Sequence, residues 1–174
     1  MRAATGLALG AALLALGADV ESRRLTHYVP QDLLETAVRT EGWTEVPLKL
    51  KDGLQKGDTV RIWAGGSIDR GGEHPSQNVG GPDGAPSAAG GDMALSSDSA
   101  HRYALLFKTE TAGVKKCQPP GKPLEIKLGK DGERVWVGFN DEKGQYRDNH
   151  LGRGLRHQLD PLWVRIEVVR ITVD

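Results

Sequence analysis

The chain has 174 residues, 38% of them hydrophobic and 26% charged, which suits one globular domain with a short extension. Lys plus Arg equal Asp plus Glu at 23 each, so net charge leaves no footprint for a nucleic-acid partner. Zinc-finger spacing, a P-loop and an RNA-binding aromatic signature are all missing, and the single Cys117 has no second thiol for a disulfide or a zinc site.

Arg2 is followed by an uncharged run from Ala3 to Ala18, ending in the small residues Ala15-Leu16-Gly17-Ala18. This is the pattern of a secretory signal peptide. The rival reading is an uncleaved membrane anchor over residues 3–20, an apolar helix of ~27 Å against a hydrocarbon core of ~30 Å. Either reading places the folded part outside the cytoplasm, in the periplasm or beyond it. Residues 1–20 are therefore expected as signal or anchor, 21–41 as a linker with one short helix, and 42–174 as the domain. The helix is expected from Pro30 to Val38, with Pro in the first turn, early acids, and Leu33, Leu34, Ala37 and Val38 on one face.

From Trp43 onward the pattern alternates with period two. Thr44–Leu50 reads as an edge strand because Pro47 cannot donate to a ladder. Thr59–Ala64, Tyr103–Lys108, Pro123–Leu128, Arg134–Phe139 and Leu162–Val173 follow as strands. Gly129-Lys130-Asp131-Gly132 reads as a hairpin turn between two of them. Trp63 and Trp136 lie inside strand patterns and are read as core residues, and Cys117 as a loop or strand-edge thiol without a role. Short strands between turn clusters predict an all-β antiparallel sandwich or jelly roll behind an N-terminal apolar helix. Residues 65–99 form a long Gly/Pro/Ser/Asp stretch of the kind that carries function.

The segment Asn140-Asp141-Glu142-Lys143-Gly144-Gln145-Tyr146-Arg147-Asp148-Asn149 places carboxylate and amide oxygens at both ends of a loop that Gly144 allows to turn. Hard cations such as Ca²⁺ want six to eight oxygen ligands. The spacing does not match an EF-hand, and a solvated turn would use the same residue types. No nucleophile, base and orienting acid are nominated together, which argues against an enzyme.

Several blocks, in order, resemble the PA-IL-like bacterial lectins. They are Lys56-Gly57-Asp58-Thr59-Val60-Arg61-Ile62, Ala64-Gly65-Gly66, Val79-Gly80-Gly81-Pro82-Asp83-Gly84, Tyr103–Lys108, Gly138-Phe139-Asn140-Asp141, Gly144-Gln145-Tyr146 and Asp148-Asn149. The resemblance spans roughly residues 43–173. It implies a galactose-binding-domain-like sandwich that holds calcium and, through it, a galactose-like carbohydrate, without catalysis. Carried over, Asp141, Asp148 and Asn149 give side-chain oxygens to Ca²⁺, and Gln145 and Arg70 give backbone carbonyls. Asp141, Asp148 and Glu142 then contact the sugar, with His74 and Gln77 from His74-Pro75-Ser76-Gln77. That last segment precedes the Gly81–Gly84 block, whereas in the family it follows. Aligned on the block, Ala88, Ala89 and Gly91 stand in its place. A basic stretch over 150–161 reads as an insertion. These departures sustain an alternative, in which a retained N-terminal helix and the lectin-like domain serve a protein complex at the membrane.

Overall fold

The computed structural model describes residues 20–71, 79–85, 88, 91–151 and 160–173. Its elements in chain order are β1 (Val20–Tyr28), α1 (Gln31–Arg39), β2 (Thr44–Val46), β3 (Thr59–Gly65), β4 (Ile68–Asp69), β5 (Val79–Gly80), β6 (Leu105–Thr109), β7 (Gly113–Lys116), β8 (Leu124–Lys127), β9 (Val135–Phe139), β10 (His150–Leu151) and β11 (Trp163–Val173). They form two four-stranded sheets, β1-β11-β3-β8 and β2-β9-β6-β7, and a small sheet β10-β4-β5. Among the described residues every strand pairing is antiparallel.

Alternation decides which face each strand buries. On β11, Val164, Ile166 and Val168 are buried while Arg165 and Glu167 face outward; on β3, Val60, Ile62 and Ala64 are buried. Val135, Val137 and Phe139 of β9 and Leu105 and Phe107 of β6 meet them in one core. Burying such a face contributes roughly 25 cal/mol for each Å² of apolar surface removed from water. Helix α1 closes one side of this core with Leu34, Ala37 and Val38, all 0% exposed. It lies against β9, β2 and β10.

The structure differs from the sequence pattern in four places. The expected linker contains β1, which pairs with β11 over nine residues from Val20↔Val173 to Tyr28↔Arg165. Residues 22–26 are exposed on both faces, so burial imposes no alternation there that the sequence could display. The expected hairpin at 129–132 is a crossover, because β8 pairs with β3 and β9 with β6 and β2. The buried Glu133 carboxylate organises that crossover, accepting from Gly129 N (2.7 Å), Lys130 N (3.0 Å) and Thr111 Oγ1 (2.6 Å). Trp63 and Trp136 are half-buried on outward faces, with Arg165 stacked over Trp63 at 4.1 Å and Arg134 over Trp136 at 4.9 Å. Cys117 follows the edge strand β7 directly, in keeping with the loop or strand-edge reading, and burial pushes its thiol up to about 12. Strand β7, which the sequence pattern did not mark, pairs with β6.

The apolar run and its helix lie outside the described residues, as do His74 and Gln77. Among the described residues no helix is long and apolar enough to cross a membrane.

Candidate functional site

Strand β9 ends at Phe139 in the core and delivers Asn140 and Asp141 directly into a loop. Asn140 is 0% exposed and uses its whole amide. Its Oδ1 accepts from Leu95 N and Ser96 N (3.0 Å each), and its Nδ2 donates to Ser96 O (3.0 Å) and His101 O (2.9 Å). It therefore ties the 95–101 segment to the end of β9 and has no capacity left for a ligand. Tyr146 supports the loop from below, donating from its hydroxyl to Phe139 O at 2.8 Å and accepting from Asp141 N at 3.3 Å.

Asp141 and Asn149 meet beneath this loop, 3% and 0% exposed. Asp141 Oδ1 accepts from Glu142 N (2.7 Å), and Oδ2 accepts from Asn149 Nδ2 (2.9 Å). The same Nδ2 donates to Val38 O at 2.9 Å. Both partners are acceptors, so the NH₂ group must face them and the amide cannot be turned over. This leaves Asn149 Oδ1 buried with no donor, and Asp148 Oδ1 is buried with no donor as well. The pairing of β10 with β4 sets His150 opposite Asp69, which brings Asp148 against the 70–71 backbone. Gly71 has φ +73, and any Cβ there would collide with the Asp148 carboxylate. Only glycine allows that close approach. Burial pushes Asp141 up to about 6, with the charges of Asp148 and Glu142 adding to the rise.

Asp141 and Asn149 are thus in direct contact, and the Asp148 carboxylate lies near enough for its charge to act on Asp141. Arg70 stands beside Gly71, its guanidinium over the Tyr103 ring at 4.2 Å. Gln145 precedes the short 3-10 turn Tyr146–Asp148, with its side chain exposed. Among the described residues no three His, Cys, Asp or Glu side chains gather as a metal site. Carboxylate and amide oxygens of this kind suit a hard cation and not zinc. Glu142, expected among the sugar contacts, accepts from the Tyr103 hydroxyl at 2.8 Å. A backbone bond from Gly91 and that hydroxyl hold its carboxyl below the usual range. Tyr103 itself has φ 52 and donates its N–H to Asn140 O at 2.8 Å. No sequence pattern marks Tyr103 or Val38 as part of this site, because both act through contacts between distant segments.

One local arrangement looks like a nucleophile with its base. Ser96 Oγ lies 2.8 Å from His101 Nδ1, and His101 Nε2 lies 3.8 Å from Asp98 Oδ2. It is a loop clasp. Ser96 Oγ also accepts from Asp98 N at 3.3 Å, and Asp98 caps the following turn at Ala100 N. The Leu95 and Ser96 N–H groups that would serve an oxyanion are taken up by Asn140.

No family model matches the sequence, and no curated protein matches it. Among solved structures, one named "EclA N-terminal domain; PllA-like lectin" is similar, with a TM-score of 0.40 and 18% sequence identity over 83% of this chain and 94% of that one.

Proposed function

We propose that this chain is an exported, non-catalytic domain that binds calcium at Asp141, Asp148 and Asn149 and holds a carbohydrate through it. The observation that carries the reading is the pair of buried acceptor oxygens without donors, Asp148 Oδ1 and Asn149 Oδ1, beside the buried Asp141. Buried polar atoms are nearly always paired, and each orphan costs about 1–3 kcal/mol. Acceptor oxygens without donors become ligands when a hard cation sits among them. The raised Asp141 carboxyl fits the same picture, since a bound cation would offset the burial and the Asp148 and Glu142 charges that raise it. The carbonyls of Arg70 and Gln145 complete the proposed set.

Calcium bound there supplies a positive centre for two adjacent sugar hydroxyls. Asp141 and Asp148 accept the hydroxyl protons in hydrogen bonds, which orients a galactose-like ring. Glu142 holds the loop through Tyr103, and His74 and Gln77 are the proposed outer sugar contacts.

Isothermal titration tests the reading in two steps. Calcium added to chelator-treated protein should bind at one site, and Asp141→Asn should remove it. Galactosides should then give heat with calcium and none with chelator. No calcium binding overturns the whole proposal. Calcium binding without calcium-dependent heat for any sugar of a broad glycan panel removes the carbohydrate half.

A further inference from the structure

The face of the first sheet is left uncovered at its edge. Residues 22–26 of β1 are exposed. Between β1 and residues 49–52 lies a groove of about 520 Å³. Its floor is apolar, made by Leu25, Leu50 and Val168. Leu25 and Val168 are opposite one another on the β1/β11 ladder, and Leu25 remains 44% exposed.

The rim is basic. Arg23, Arg24, Lys49 and Lys51 line it, against one carboxylate, Asp52. A fifth cation, Arg170, is neutralised by Asp58 through bonds of 2.9 and 2.8 Å. Arg23 stands directly opposite Arg170 across the ladder. Among the described residues Arg24, Lys49 and Lys51 take part in no ion pair. The concentration of charge is local, because the chain as a whole carries 23 cations and 23 anions.

We propose that this groove docks the protein on an anionic phospholipid surface. A basic rim over an apolar floor matches a layer of phosphodiester anions above acyl chains. The place of the groove in the chain selects a bilayer over an acidic peptide. The uncharged run Ala3–Ala18 ends five residues before Arg23, which spans at most ~17 Å of extended chain. An apolar run of that kind, at a bilayer, brings the rim within reach of the headgroups. The groove shares no residue with the calcium site, and the proposal does not depend on that site.

The test is vesicle co-sedimentation of the full chain, in chelator so that the calcium site does not contribute. One set of vesicles is phosphatidylcholine alone, and the other is roughly one-third phosphatidylglycerol. The 3–18 run is uncharged and adds equally to both. A cation near an anionic surface raises partitioning about fivefold. Lys49→Gln with Lys51→Gln should therefore lower partitioning onto the anionic vesicles by about 25-fold and leave the neutral ones unchanged. Both lysines are exposed, so the double variant should fold, which its circular dichroism checks. About 1 M salt, where screening reaches ~3 Å, should erase the anionic preference. Equal partitioning of wild type and variant onto anionic vesicles overturns the proposal. So does wild-type indifference to lipid charge. Tight binding of soluble polyglutamate, abolished by the same variant without any lipid preference, assigns the groove to an acidic peptide instead.

Discussion

Replacing Asn149 by Leu keeps the number and branching of side-chain heavy atoms and removes both ends of the amide. In the native protein Nδ2 serves Val38 O and Asp141 Oδ2 at 2.9 Å each. Leucine leaves a buried carbonyl and a buried carboxylate oxygen without these donors. The first loss costs about 1–3 kcal/mol and the second, at a charged acceptor, about 1.5–3 kcal/mol. Removal of the orphaned Oδ1 returns part of this, so the net loss without calcium should be about 3–4 kcal/mol. Asp141, already pushed up to about 6 by burial, loses a bond that holds it down and should move higher. The variant also lacks one proposed calcium ligand. Wild type should gain about 2.7 kcal/mol when calcium is present at a hundred times its dissociation constant, and the variant close to nothing. Urea unfolding of both proteins, in chelator and in calcium, measures all four stabilities. A loss below about 1 kcal/mol in chelator would refute the orientation argument for the amide. An equal calcium response in both proteins would refute Asn149 as a ligand.

Asp148→Asn should leave stability in chelator within about 1 kcal/mol, because Asp148 Oδ1 has no donor to lose. The same change should weaken calcium binding roughly tenfold through the lost charge, read by titration. Asp141 gives a pH signature in chelator. Its folded value of about 6 lies above its ordinary 3.8, so the native state holds more protons than the unfolded one between those values. Stability from this group is therefore present below about pH 4 and is lost as pH rises through about 6, by roughly 3 kcal/mol. Asp141→Asn should flatten that slope in unfolding curves measured across the window. Glu133 runs the opposite way, because its native hydrogen bonds hold it at about 2 against their burial cost. Its stability is present above pH 4.5 and is lost as pH falls toward 2. Glu133→Gln should cost about 1–3 kcal/mol at pH 7, since its carbonyl oxygen can keep the Gly129, Lys130 and Thr111 hydroxyl donors while its NH₂ meets the Thr111 N–H. Gly65→Ala sets a Cβ 2.6–2.8 Å from the Trp163 indole, so the ring must lift. A loss of about 1–3 kcal/mol and a shift in tryptophan emission should follow, and unchanged emission would show that the ring does not lie over Gly65.

The division between sequence and tertiary structure follows from how far each signal travels along the chain. Strands that bury one face announce themselves, so Thr59–Gly65, Leu124–Lys127 and Val135–Phe139 could be read within a residue or two. Strand β1 could not, because exposure on both faces removes the selection for alternation, and its partner lies some 140 residues away at β11. The turn at 129–132 was legible as a turn, but whether it closes a hairpin or crosses between sheets depends on which strand each flank joins. At the site, the loop from Asn140 to Asn149 was legible because its oxygens are contiguous. Which of them are free for a cation was decided by the fold. Asn140 looks like a ligand and is consumed by residues 95–101, whereas Asn149 is turned by Val38, more than a hundred residues earlier, so that its oxygen is left without a donor. Local composition determines which groups a loop offers, and only long-range packing determines which of them remain unsatisfied.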